Sequence, residues 1–110
     1  MFDLTQIKFD EAMFGYEEKT MYFLFTAPAE WIKDAYPEED ITNTELSFTI
    51  KNYDNENAYI DDAGISPTRW SEEEDMYEEF DWGDFMDIVD EQHITAAQIL
   101  ELARKGGYKG

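Results

Sequence analysis

Acid–base catalysis, metal binding and electrostatic recognition all draw on carboxylates, and carboxylates dominate this chain, with 27 Asp and Glu against eight Lys and Arg. Glycoside chemistry needs two carboxyl groups at a defined separation. With so many acids some pair reaches that separation by chance, so pairing alone carries no specificity. His93 is the only histidine. It stands in Glu91-Gln92-His93, just ahead of a helix-like segment, and reads as a surface or helix-entry residue rather than a general base. Ser47, Ser66 and Ser71 lack the context of an activated nucleophile, and neither a Gly-rich phosphate loop nor H-E-x-x-H occurs. A calcium loop beginning at Asp54 would have Glu56 at its third position, but Ala58 stands at the fifth. Tyr59 occupies the tight-turn glycine position and Ile65 that of the bidentate glutamate, so the pattern fails. Cysteine is absent, which removes disulfide, thiolate and thiol-zinc chemistry together. The sequence therefore predicts no catalytic residues, no cofactor and no defined metal site, only diffuse attraction of divalent ions.

Electrostatic recognition remains. Twelve of the acids fall between Trp70 and Ala103, a window without a single Lys or Arg. Large apolar residues (Trp70, Met76, Tyr77, Phe80, Trp82, Phe85, Ile88 and Val89) thread the same window, which argues for a folded scaffold rather than a disordered acidic tail. The candidate partner-binding residues are Glu72, Glu73, Glu74, Asp75, Glu78, Glu79, Asp81, Asp84, Asp87, Asp90 and Glu91. Asp81, Asp84, Asp87 and Asp90 recur every third residue, and on a continuous helix they would form a row with about 4.5 Å between members along the axis. Glu74, Glu78 and Asp81 extend it by steps of four and three. A nucleic-acid duplex carries one phosphate charge per about 1.7 Å of axis, so ranked carboxylates approximate its edge more sparsely.

Such a surface suits the basic groove of a nucleic-acid-binding protein, where it would compete with the nucleic acid. In size and charge the chain resembles the small acidic inhibitors of restriction and CRISPR systems carried by phages and mobile elements. That resemblance is one of class and composition, with no shared motif. It implies a non-enzymatic inhibitor. Other readings are an immunity protein or antitoxin capping a basic toxin, an acidic adaptor or accessory subunit, and a merely solvated charged face. The acidity excludes direct binding to nucleic acid or to anionic membranes.

The elements that must position these residues read as a single α+β domain over residues 1–110. Thr20–Thr26 is a breaker-free run rich in aromatic and β-branched residues, expected as a central strand covered on both faces. Alternation at Ile7 and Phe9 suggests a strand within 4–14, joined to it by the turn at 15–19. Pro28 opens a short helix that Tyr36-Pro37 closes. Leu46, Phe48 and Ile50 alternate with Ser47, Thr49 and Lys51, predicting a half-buried strand within 45–53. Asp54–Asn57 is a turn leading to a partner strand at Ala58–Ile60. Asp61–Gly64 and Ser66-Pro67 suggest a second loop. Ser71-x-x-Glu74 has the form of a capping box and predicts an acidic helix. Gly83 ends or bends it, and residues 84–90 fit a helical turn or a short strand. Thr95 and Gln98 form another capping box, with Ile94 and Ile99 placed as a hydrophobic staple, Arg104 and Lys105 in the last turn and Gly106 as the stop. A C-terminal helix over about 95–105 follows.

Hydrophobic residues make up 43% of the chain and aromatics 16%, enough to build a core against a formal charge of −19. Met1-Phe2-Asp3-Leu4 offers no basic region ahead of an apolar run, and no stretch approaches the twenty or so apolar residues of a membrane span. A cytoplasmic protein is the expectation.

Overall fold

The structure is a computed structural model and describes residues 2–109. A six-stranded antiparallel sheet carries helices on one face, an α+β architecture as the sequence predicts. Strands β1 (Lys8–Phe14), β2 (Thr20–Ala27), β3 (Asn43–Lys51) and β4 (Tyr59–Ser71) lie side by side in chain order, so each junction is a connection between neighbours. The outer edge of β4 is shared. β5 (Met76–Glu79) pairs with its last four residues, and β6 (Gly83–Asp84) pairs with Gly64 and Ile65. Helices α1 (Met86–Glu91) and α2 (Ala96–Lys105) follow.

The period of two decides which side chains meet the helices. Phe23 and Phe25 of β2, and Leu46, Phe48 and Ile50 of β3, are fully buried against Phe85 and Val89 of the α1 region and Ile99 and Ala103 of α2. Edge-to-face contacts run through this layer, Phe25 to Phe48 at 5.8 Å and Phe48 to Phe85 at 6.2 Å between ring centres. Tyr22, Leu24 and Thr26 point the other way and are half-buried. The expectation that β2 is covered on both faces is thus corrected, since among the described residues no helix lies on that second side. Neighbouring side chains within the sheet give the partial shielding.

The C-terminal helix forms as predicted. Thr95 accepts from the Gln98 N–H, Gln98 returns the bond to the Thr95 N–H, and Ile94 and Ile99 are both buried. Its end is a two-bond Schellman turn, in which the Gly107 N–H donates to Arg104 and the Tyr108 N–H to Ala103. The left-handed residue there is Gly107 at φ 114°, whereas Gly106 at φ −89° is conformationally ordinary.

Four local readings are corrected. The segment 4–14 splits into a 3-10 turn, Leu4–Gln6, and then β1. After Pro28 the chain makes two 3-10 turns, Ala29–Trp31 and Lys33–Ala35, in place of one helix. The loop expected across residues 61–67 lies inside β4, because β3 pairs along this whole stretch. Pro67 is tolerated because its carbonyl, which accepts from the Phe80 N–H, faces the outer side of β4. The missing Pro67 N–H faces the same side, between the ends of β5 and β6 where no ladder bond is needed.

The acidic helix after Ser71 does not exist. Ser71 Oγ does accept the Glu74 N–H, at 3.4 Å, so half of the capping interaction forms. The chain then turns back through Asp75 at φ 54° and pairs as β5. Pairing satisfies the exposed ladder groups of β4, which a helix here would leave open. Residues 84–90 resolve into both alternatives, with Asp84 ending β6 and α1 beginning at Met86.

Candidate protein-binding surface

Turn and strand geometry distributes the predicted acids over four places. Glu72, Glu73, Glu74 and Asp75 form the exposed tip of the β4–β5 hairpin. Glu78 and Glu79 alternate across β5. Glu78 faces Arg69 in an ion pair, and Glu79 stands opposite Thr68 on the helix-free face. Asp81 and Asp84 are extended: Asp81 accepts from the Tyr36 hydroxyl, and Asp84 Oδ1 accepts the Met86 N–H ahead of α1. Asp87, Asp90 and Glu91 are exposed on α1. The three-residue spacing therefore does not make one helical row. Only Asp87 and Asp90 share a helix, because Gly83 and Asp84 pair with β4.

The helix-free face of the sheet holds acids that the window does not include. Two strand irregularities create them. A bulge after Phe9 in β1 turns consecutive Asp10 and Glu11 to the same side, and a second, at the Thr49–Ile50 step of β3, does so for Asp61 and Asp62 of β4. Glu45, on β3 between Thr26 and Ser66, projects onto this face. It is nonetheless only 4% exposed, and its Oε1 finds no hydrogen-bond partner among the described residues. Burial, then the charges of Asp10 and Glu79, push the Glu45 carboxyl up to about 8, so it is neutral at pH 7. Elsewhere the Lys51 ammonium, 2.6 Å from Glu17, holds that carboxyl below its ordinary value. The hydrogen bond to Asp81 raises the Tyr36 phenol.

Aromatic side chains interrupt this acidity. Trp70 and Tyr77 are opposite one another on the hairpin, edge to face at 4.9 Å, and each is about half exposed. Trp82 is 49% exposed and lies over Gly64, where a Cβ would come within 3.2 Å of the indole. From the sequence both Trp82 and Phe85 are expected in the core rather than at a contact surface; Phe85 is there, 1% exposed, and Trp82 is not. The signal for the missed acidic face was the polar half of the β3 alternation, Glu45, Ser47, Thr49 and Lys51.

The arrangement suits recognition of a basic surface by carboxylates on strands, with aromatics to supply desolvated contact area. Among the described residues no group of three His, Cys, Asp or Glu is placed to hold a metal ion, and no helix is long and apolar enough to cross a membrane. His93 is exposed, at φ 55° in the link between α1 and α2. Comparison with protein-family models, curated proteins and solved structures finds no match to this chain.

Proposed function

We propose that this chain is a non-enzymatic cytoplasmic inhibitor that presents an acidic, nucleic-acid-like surface to a basic nucleic-acid-binding protein, of the type that counters restriction or CRISPR systems. One observation carries the reading. The hairpin tip Glu72–Asp75 adjoins a helix-free sheet face bearing Asp10, Glu11, Asp62 and Glu79, so the excess charge is carried by paired strands and the tight turn that joins two of them. Rigid charge loses little entropy on docking and steers encounter with a positive groove.

A second reading, an immunity protein or antitoxin capping a basic toxin, draws support from the exposed Trp70, Tyr77 and Trp82 beside those acids. Hot spots of protein–protein interfaces favour such aromatics.

Affinity capture read by mass spectrometry, followed by competition, separates them. Mimicry requires a basic nucleic-acid-binding partner that nucleic acid displaces, with affinity falling steeply as salt rises. Replacing Glu72, Glu73 and Glu74 by Lys should abolish capture while the circular dichroism spectrum stays unchanged. A partner that nucleic acid fails to displace would exclude mimicry and favour capping. Undiminished capture by the triple variant would exclude the hairpin tip from either role.

A further inference from the structure

The register of β3, β4 and β6 brings a specific donor set together on the helix-free face. Ser47, Gly64 and Asp84 form one cross-strand row, and Thr49 and Asp62 form the adjacent row. Trp82 folds back over Gly64, whose missing Cβ gives the indole room. These side chains line an open cavity of about 480 Å³. Asp62 Oδ1 accepts the Ala63 N–H at 2.9 Å and Asp84 Oδ1 accepts the Met86 N–H at 3.0 Å. Each carboxylate is thereby fixed in orientation by one oxygen, leaving the other to a ligand. Among the described residues neither meets a Lys or Arg within ion-pair distance.

An aromatic face with two fixed, uncompensated carboxylates is a receptor for a planar cation. The chain supplies its own precedent. On the other side of β4 the Arg69 guanidinium lies 4.4 Å from the centre of the Phe80 ring. Its Nη1 is 3.1 Å from Glu39 and its Nε 3.5 Å from Glu78. The Trp82 cavity repeats that set, one ring and two carboxylates, and adds the Ser47 and Thr49 hydroxyls. A guanidinium gains from stacking on the indole and from donating to two separate acceptors, where an ammonium would do less of both.

We propose that the cavity between Trp82, Asp62 and Asp84 receives an arginine side chain of the partner. This deepens the reading of the chain as a binder of a basic protein by giving that partner one defined anchor. Arginine inserted at such a point combines charge pairing with burial of its flat face, the profile of an interface hot spot.

The test uses the intact chain and a small probe. N-acetyl-arginine methylamide is titrated at low salt while the Trp82 indole N–H, assigned with a Trp82→Phe variant, is followed by NMR. N-acetyl-citrulline methylamide, the neutral isostere, and the lysine analogue are run in parallel. Arginine should give saturable shifts centred on Trp82 and the amides of Gly64 and Asp84, citrulline none, and lysine binding at least five-fold weaker. Asp62→Asn with Asp84→Asn keeps an oxygen for each backbone N–H but removes both charges, so the fold is retained and arginine affinity should fall at least ten-fold. Equal responses to arginine and citrulline, equal affinity for lysine, or no loss in the double variant would each overturn the proposal. Because the probe is read on the free chain, its failure leaves the capture and competition results standing, and their failure leaves this one.

Discussion

Glu45 and Asp10 bear on one another across the helix-free face of the sheet, Glu45 from β3 and Asp10 from the bulge of β1, with β2 between them. Glu11 acts from the same bulge and Glu79 from β5, while Thr26 and Ser66 flank Glu45 on the neighbouring strands. No cation is among the groups that set its ionisation. A neutral Glu45 can donate a hydrogen bond to Asp10, which an ionised one cannot.

Glu45 therefore ties stability to pH. Its carboxyl ionises near 4.5 when free of this environment and at about 8 in the fold. Below the lower value it is neutral in both states and costs nothing. Between the two, the unfolded chain releases a proton that the folded chain keeps, and stability falls as pH rises, by about 1.4 kcal/mol per unit. Above about 8 the full cost is present and constant. Glu45→Gln removes the titration. Thermal melts across pH 4 to 9 should show the variant close to wild type at the acid end and increasingly more stable toward pH 9. Parallel curves for the two proteins would contradict this account.

Legibility in the sequence followed how local the deciding interaction was. α2 could be read because its cap, staple and stop all lie within thirteen consecutive residues, Ile94 to Gly106, and β3 because alternation is a property of the strand itself. The β4–β5 hairpin could not. Ser71 and Glu74 make the same first contact at a helix start and in this turn, and pairing of Trp70 with Tyr77 decides between them. Pro67 and Gly64 likewise signal a loop, yet one fills a gap between two edge partners and the other makes room for Trp82. The acid count located Glu72–Asp75 correctly on the surface. Asp10, Glu11, Glu45 and Asp62 could not be assigned to a shared face without the register and the two bulges.

The hairpin correction is measurable. Trp70 and Tyr77 are in direct contact only if residues 68–79 form antiparallel strands. A double-mutant cycle with Trp70→Ala and Tyr77→Ala should give a coupling of about 0.5–1.5 kcal/mol, the range for an aromatic pair. Additive single effects would show that the pair does not form in solution.

Charge repulsion should set the salt response. Only eight Lys and Arg face 27 acids, and Lys51 and Arg69 each already serve two carboxylates. Lys19 pairs with Asp54 and Lys105 with Glu101, and among the described residues the other carboxylates have no Lys or Arg within ion-pair distance and depend on counter-ions. The screening length shrinks from about 30 Å at 0.01 M to about 3 Å at 1 M salt. Raising sodium chloride over that range should stabilise the fold by about 1 kcal/mol or more, seen as a melting temperature higher by at least about 4 °C. A flat response would mean the carboxylates are too dispersed to strain the compact state.

Gly106 supports a separate prediction about the end of α2. Its backbone, at φ −89°, suits any residue, so conformational freedom does not explain the glycine. Space does. A Cβ at Gly106 would come to 2.4 Å from Phe9 Cβ, which sits on β1 and has no rotamer that moves it away. Phe9 is further held by Phe25 and Tyr108, with ring centres at 5.7 and 6.1 Å. Gly106→Ala must then push α2 off the strand, at a cost of about 1–3 kcal/mol, as for other overpacked sites. The melting temperature should fall accordingly, by at least about 4 °C. Gly107→Ala should also destabilise, but through its left-handed φ of 114°, with open space around the new methyl. Gly107→Asn should lose stability too, because φ 114° lies well beyond the left-handed helical region that asparagine tolerates, and Gly106→Asn should be at least as damaging as Gly106→Ala. Stability unchanged in Gly106→Ala would show that α2 does not rest against β1 at this point.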